Sequence, residues 1–486
     1  MKKWVKRSMG AALLAMTAVG LTACGSSKSA SDSDVPTLLM YQIGDKPKNY
    51  DTLISKTNKI LEKKTKAKIK IQYIGWGDYT QKMSVIVSSG EKYDIAKADN
   101  YAVNAQKGAY TDLTKMLPKY APSAYKDLNS AYIKGNKVDG KLYTMPINGN
   151  VYAQQVVSFN KKYLDKYNID VSKINSYKDL EDVFAKFHSE NKKVLTFSTG
   201  PTFRIGSNLD FVIDQDYPFA VDAVNKGKKI INPYNNTQYK ETLRTMHDYY
   251  KKGYIQKDAA TDNTDRPLSG DTWFARQETQ GPFDYGDHQL SQTAGQEIVS
   301  RPMSPAVKTT AQAGMYNYVV SNNSKNKVKA VKVLGVINND PELLNGLVYG
   351  EKGKAWKYVD NKKRVKLLKG YKEKYHSAPW QTGDNNKITP TTDVTSTMIQ
   401  ERKDNISKSI DSPILGFQFN TKNVKTEMTN ISNVMNKYLA GLQTGTSDPD
   451  TTIPKMNKEL KKAGYDKVQK EMQKQYDEFQ KNGNNK

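Results

Sequence analysis

The sequence predicts an α/β protein of two lobes, and three observations carry that expectation. Near residue 37 a strand, a helix and a second strand follow one another at the spacing of a parallel α/β layer. After residue 151 the same alternation starts afresh, and from about residue 421 the chain turns almost wholly helical. At 486 residues there is chain enough for two or three domains and a large core.

The first element is not part of that body. Residues 1–23 open with Lys2, Lys3, Lys6 and Arg7 and run uncharged from Met9 to Ala23. This is a secretory signal, too short to span a bilayer as a permanent helix. It ends on Leu21-Thr22-Ala23-Cys24, which resembles a lipobox, and Cys24 is the single cysteine of the chain. A lone cysteine after an apolar run can also be a buried thiol. The lipobox reading makes Cys24 diacylated and the mature N-terminus, and two acyl chains hold a protein stably on a membrane. The expected location is therefore the extracellular face of the cytoplasmic membrane, lipid-anchored, with no disulfide to stabilise the body. Residues 24–36 are small, polar and Ser-rich, a flexible tether.

Residues 37–43 read as an apolar strand ending at the turn Gly44-Asp45-Lys46-Pro47. A helix over 50–64 puts Leu53, Ile54, Ile60 and Leu61 on one stripe, and 68–74 alternates Lys or Gln with Ile or Tyr as a half-buried strand. Helices are expected over 78–88 and 101–107, with strands over 93–96 and 141–147. The β-branched and aromatic run 151–159 leads to a helix over 161–167. A helix over 176–190 opens with Ser176 and Asp179 at capping-box spacing. A strand over 194–198 follows, then a helix over 238–252 stopped by Gly253. Residues 273–277 read as a strand or loop edge, 314–321 as a strand, and 325–337 as a helix capped by Asn322-Asn323-Ser324. Helices are expected over 421–442 and 454–480, interrupted at 444–452 and at Gly464. In the last, Tyr465, Val468, Met472, Tyr476 and Phe479 form a continuous apolar stripe, expected to pack against a lobe.

The formal net charge is +25, of which the signal contributes four. The lysines are scattered over expected helix faces (Lys56, Lys59, Lys63, Lys64; Lys461, Lys462, Lys467, Lys470), as on a solvated surface. No basic block is interleaved with a stacking motif, so no nucleic-acid partner is expected. Adhesion to acidic wall polymer is a side effect such a charge permits.

Catalytic machinery is hard to find. The four histidines, His188, His247, His288 and His376, are well separated and lack metal-ligand spacing, and no nucleophile elbow, P-loop or dinucleotide fingerprint occurs. Asp284 and Asp287 read as turn chemistry rather than a glycosidase pair. Asp262, Asn263 and Asp265 lack the Gly and terminal Glu of a calcium loop. The expectation is no enzyme, no metal and no cofactor. What the chain offers is aromatic and amide surface at turns. Trp76 and Asp78 follow a strand and precede a helix, at the carboxyl edge where α/β sheets meet ligands, and Asp99, Asn100 and Tyr101 follow the next strand likewise. Trp273, Tyr285 and Trp380 stand in Gly-, Pro- or Asp-rich stretches. A flat apolar face beside carboxylates and amides suits a sugar ring, whose C–H face stacks while its hydroxyls need donors and acceptors.

A family resemblance joins these features. The lipobox and tether, Gly140-Lys141-Leu142-Tyr143-Thr144-Met145-Pro146, Phe159-Asn160-Lys161-Lys162-Tyr163-Leu164 and the strand-to-helix passage from Tyr318 to Leu334 together resemble an extracellular solute-binding lipoprotein of an ABC importer. It is most similar to the carbohydrate-type class of Gram-positive bacteria. Leu347-Val348-Tyr349-Gly350-Glu351-Lys352-Gly353-Lys354, Gly416-Phe417-Gln418-Phe419 and Leu460-Lys461-Lys462-Ala463-Gly464-Tyr465 resemble a subgroup with an added C-terminal helical domain. The resemblance implies a type II, periplasmic-binding-protein-like clamp of two lobes, each a doubly wound sheet, with extra C-terminal helices. It implies lobe 1 over 37–150, lobe 2 over 151–312, a return segment mainly to lobe 1 over 313–420 and the helical region over 421–486. The chain would cross between lobes near 146–152, where Tyr152 lies, and near 312–318. Asp45, Lys46, Trp76, Asp78, Asp99, Asn100 and Tyr101 would line the cleft from the first lobe, faced by Trp273 and its neighbours, with Tyr285 and Trp380 completing the aromatic set. The implied partners are a small-molecule ligand, expected to be an oligosaccharide, and an ABC permease, met by a lipid-anchored monomer. A peptide-binding lipoprotein, a surface polysaccharide-binding adhesin and a wall-associated polysaccharide-degrading enzyme are the rivals.

Overall fold

The structure is a computed structural model that describes residues 35–483; the signal, Cys24 and the tether as far as residue 34 lie outside the described residues. The strands of its two main sheets are β1 (Thr37–Ile43), β2 (Lys68–Ile74), β3 (Ile95–Lys97), β4 (Thr144–Pro146), β5 (Gln154–Asn160), β6 (Leu195–Ser198), β7 (Trp273–Gln280), β8 (Ile298–Pro302) and β9 (Asn317–Val320). One lobe holds a five-stranded sheet in the order β2-β1-β3-β9-β4, the other a four-stranded sheet in the order β8-β5-β7-β6.

β1 runs parallel to β2 and β3, with Thr37 opposite Lys68 and Met40 opposite Ile95. β9, however, is antiparallel to β3 and β4. In the second lobe β5 is antiparallel to β7 and β8, and only β6 and β7 are parallel. Each α/β sheet thus carries one strand that runs against its neighbours. The cause is the crossing of the chain between lobes. β5 and β9 are the strands by which it enters a lobe from the other one. A strand that enters at the cleft edge runs away from it, against neighbours that run toward it.

β1 is buried on both faces, as a central strand must be. Leu38 and Met40 pack with Leu61, Ile69 and Leu334 on one side, and Tyr41 packs with Tyr79, Met83 and Ile86 on the other. The helices Tyr50–Thr65 and Lys327–Ile337 cover the first face and Tyr79–Ser89 the second. The expected helix over 176–190 is a 3-10 turn, Lys178–Leu180, followed by the α-helix Glu181–Glu190. Asp179 accepts from the Asn175 amide at 3.0 Å, so the turn closes one residue before the expected Ser176 cap.

The C-terminal region is three helices, Lys425–Gln443, Pro449–Lys462 and Tyr465–Gly483. Pro449 opens the second of them, so Pro454 sits inside it rather than starting it. All three belong to the second lobe: Ile431, Met435, Met456, Val468 and Met472 share one core with Val157, Phe159, Leu243 and Met246. The Tyr465 ring stacks on Phe219 at 4.9 Å. Before these helices the chain crosses once more, where Ile410–Asp411 pairs in parallel with Val307–Lys308. Among the described residues no helix is long and apolar enough to span a membrane.

Candidate functional site

β4 leaves for the second lobe from the edge at which β1, β2 and β3 end, so the carboxyl edge of the first sheet faces the crossing. There β1 gives way to Gly44 and β2 to Gly75-Trp76-Gly77, and the Gly44 amide donates to the Ile74 carbonyl at 2.8 Å. Gly44 has φ +112°, and a Cβ on it would lie 3.3 Å from the Trp76 ring; glycine lets the indole lie against the chain. Trp76 is 53% exposed and Trp380 42%, large values for tryptophan. Their rings stack on each other at 5.9 Å with 30° between planes.

A polar network lies beneath this pair. Tyr316 meets Trp380 edge-on at 5.5 Å. Gln42 Nε2 donates to the Tyr316 hydroxyl at 2.7 Å, while the Tyr318 hydroxyl donates to Gln42 Oε1 at 2.8 Å. Tyr318 also reaches the carbonyl of Gln381, next to Trp380. Burial pushes the Tyr316 and Tyr318 hydroxyls well above the usual tyrosine range, so both stay neutral, Tyr316 accepting from Gln42 and Tyr318 donating to it. The platform is held in place by fixed hydrogen bonds, as a stacking surface should be.

In the second lobe the amino end of β5 and the carboxyl ends of β6, β7 and β8 form the corresponding edge. Asn150, in the first crossing, accepts from the Phe283 amide at 2.8 Å. A Cβ on Gly281 would fall 2.4 Å from Asn150, so the loop after β7 sits tightly on the crossing. Asp284 accepts from the Gly281 amide, and Asp287 accepts from Gln280 at 2.7 Å and from the Ser300 amide at 2.9 Å. These two carboxylates tie the loop together, and burial raises Asp284 above the usual carboxylate range. Tyr285 accepts from Arg402 Nη1 at 2.8 Å, and the guanidinium lies 4.4 Å over Phe283. Arg402 is buried, and its Nε finds no acceptor among the described residues. A cavity of about 350 Å³ opens on the same edge, lined by Ser198, Thr199, Phe203, Asp262, Arg266 and Gln277.

The expected site residues divide accordingly. Trp76 and Trp380 come together, Tyr285 stands on the second-lobe edge, and Asp45, Lys46, Asp78 and Asn100 are exposed on the first-lobe loops. Asp78 pairs with Lys82 at 3.0 Å, and Lys46 lies 4.4 Å over the Tyr50 ring. Asp99 is buried, accepting from Thr80 at 2.9 Å and Asn100 at 3.0 Å, and the Tyr101 hydroxyl donates to the Asn136 carbonyl at 2.6 Å. Both hold the loop rather than face outward. Tyr152 is buried in a small core at the crossing with Tyr132, Val151 and Leu415. The expectation for Trp273 is corrected: its ring is 0% exposed, packed with Ala294 and Ile298, because it opens β7 at the end remote from the crossing. Sequence reasoning missed Gln42, Tyr316 and Arg402. Gln42 alone carried a signal, a buried amide in an apolar strand. Among the described residues no three His, Cys, Asp or Glu side chains gather as a metal site.

Two α/β lobes, crossed by the chain at their facing edges and bearing an exposed aromatic platform on one of them, define a type II solute-binding protein. The chain belongs to the bacterial extracellular solute-binding protein family, whose pattern matches residues 56–346. Residues 413–481 match a domain of unknown function. A carbohydrate ABC transporter substrate-binding protein of Streptococcus pneumoniae serotype 4 is 47% identical over 489 residues, covering 99% of this chain and 100% of that protein. The crystal structure of the N-glycan transport solute binding protein NgtS from Streptococcus pneumoniae superposes with a TM-score of 0.90 at 47% identity, over 92% of this chain and 100% of that one. The same protein in complex with Man5GlcNAc gives 0.74 at 47% identity, over 92% and 99%. These relatives are binding proteins, not enzymes.

Proposed function

We propose that this protein is the ligand-capturing component of a carbohydrate ABC importer and closes its two lobes around an oligosaccharide. The observation that carries this is the exposed, hydrogen-bond-braced pair Trp76 and Trp380 at the cleft edge. Such a platform takes the C–H face of a sugar ring, while Asp45, Asn100, Asn150 and Tyr285 offer acceptors and donors to hydroxyls. The relatives support the same reading, since NgtS is described with Man1GlcNAc and with Man5GlcNAc. At the same identity the TM-score falls from 0.90 to 0.74 for the Man5GlcNAc complex, as expected if lobes shift when a glycan is held. Shifting such an equilibrium from 1:99 to 99:1 takes about 5.5 kcal/mol of differential binding. The domain partition at residues 150, 312 and 420 belongs to this reading. So does the anchor: a diacylated Cys24 and the tether keep a monomeric body on the outer face of the cytoplasmic membrane, beside its permease.

The test is calorimetry with Man5GlcNAc, a neutral glucan and a tetrapeptide, alongside small-angle scattering. Saturable glycan binding with a smaller radius of gyration is expected. Binding of the peptide alone, or glycan binding without compaction, would defeat the proposal.

A further inference from the structure

Residues 351–374 carry ten lysines and arginines against Glu351, Asp360 and Glu373. The segment folds as an antiparallel pair, Trp356–Val359 with Arg364–Leu367. Its two faces differ as the pleat requires. Trp356 and Val365 turn inward to pack with Val348, Tyr349 and Ala355. Lys357 and Lys366 face outward, directly opposite one another in register, and both are exposed. The turn adds exposed Lys362 and Lys363. Like charges directly opposite across a ladder repel and destabilise it. Among the described residues no carboxylate of the segment pairs with them: Glu351 is turned to Lys56 of the neighbouring helix at 2.9 Å, and Asp360 forms no ion pair. Lys357, Lys362, Lys363 and Lys366 form no ion pair among the described residues.

We infer that this hairpin is a docking surface for the anionic headgroups of the membrane that carries the protein. The inference rests on the anchored reading of Cys24 given above. Two observations favour a lipid surface as the occupant. The tether over 24–36 spans roughly 40 Å when extended, so the body never leaves the neighbourhood of the bilayer, and weak contacts act at high effective concentration. The hairpin also sits beside the ligand platform. The Lys374 carbonyl accepts from the Lys48 amide at 3.0 Å, tying the exit of the hairpin to the loop after β1, and Trp380 follows shortly. With the outer face on the headgroups, the loops of the cleft edge lie close to the membrane, where a permease would receive the ligand. Each cation brought to an anionic surface is worth about fivefold in partition.

The test uses the chain from residue 25 onward, which keeps every described residue and has no acylation site. It is floated with vesicles of phosphatidylcholine containing phosphatidylglycerol, and with phosphatidylcholine alone. Binding confined to the anionic vesicles and lost at high salt is expected. The triple variant Lys357→Glu, Lys363→Glu, Lys366→Glu should bind more than tenfold more weakly, and the milder Lys→Gln triple several-fold more weakly, both with the melting curve and the glycan affinity of the parent. No binding to anionic vesicles, equal binding by parent and variants, or binding to soluble polyphosphate without vesicle binding would each overturn the inference. Because no lipid is attached, failure here is separate from failure of acylation, and the glycan titration reports on the proposed function by itself.

Discussion

Removing Trp380 is the sharpest test of the ligand platform. The ring is 42% exposed and meets Trp76 at 5.9 Å and Tyr316 at 5.5 Å. A tryptophan offers about 200 Å² of surface, so roughly 80 Å² is open to a ligand, worth about 2 kcal/mol at about 25 cal/mol per Å² when fully covered. Losing the stacked neighbour also frees Trp76, at a further cost of about 1 kcal/mol. Trp380→Ala should therefore weaken oligosaccharide binding by up to about a hundredfold, at 1.4 kcal/mol per tenfold. Stability should fall too, by up to about 3 kcal/mol, because the remaining roughly 120 Å² of the ring is buried against Trp76, Tyr316 and their neighbours, so affinity is titrated on the folded variant. Calorimetric titration with Man5GlcNAc measures the first and urea unfolding the second. In a double-mutant cycle with Trp76→Ala the two losses should be non-additive by about 1 kcal/mol, since the rings support each other. Affinities within twofold of the parent in both single variants would refute the platform.

Other expectations separate the fold from the site. Trp273→Ala empties a fully buried position and should cost about 3–5 kcal/mol in urea unfolding, while the variant that remains folded binds glycan as the parent does. Gly445, at φ +77°, joins two of the C-terminal helices, and a Cβ there would fall 2.2 Å from the Met246 carbonyl. Gly445→Ala should lower the melting temperature by several degrees through strain and displacement of the helices from the second lobe, read by differential scanning calorimetry. Burial pushes the Asp210 carboxyl up to about 6, against the lowering effect of the Ser412 hydroxyl. A folded pKa above the unfolded one means that the native state holds the extra proton between about pH 4 and pH 6. This carboxyl's contribution to stability must then decline as pH rises through that window, by up to about 3 kcal/mol. Asp210→Asn should gain stability relative to the parent from pH 4 to pH 7 in parallel urea titrations, and a constant difference would refute the assignment.

Much of the first lobe is legible in the sequence because its signals are local. The alternation in Lys68–Ile74, the helical stripe of Leu53 and Leu61, and the turn at Gly44 each depend on residues within a few positions. Strand direction is different. Nothing inside Gln154–Asn160 or Asn317–Val320 distinguishes a parallel strand from an antiparallel one, since apolar, β-branched residues serve both. Their direction is set by where the chain enters each lobe, a property of crossings that span about 150 residues. The apolar stripe of the last helix was similarly visible as a stripe, yet its partner, a core including Val157 and Leu243, lies far back in the chain.

The same distinction explains the site. Trp76 and Trp273 look alike in sequence, each an aromatic close to glycine and aspartate. Trp76 follows the last residue of β2 and so emerges at the edge facing the crossing; Trp273 is the first residue of β7 and so lies at the opposite edge, under the helix His288–Ala294. Composition marks both as turn aromatics, and only the direction of the strand decides which one a ligand can touch. Arg402 shows the complementary failure. Its helix, Ser396–Lys408, is mostly polar and suggests nothing but a solvated surface. The arginine becomes buried because Phe283 and Tyr285, more than a hundred residues earlier, supply the rings on which its guanidinium rests. A cleft between lobes is assembled from loops remote in sequence. The residues that a local reading finds are those whose chemistry is already complete beside a strand end, and those it misses acquire their role from the other wall.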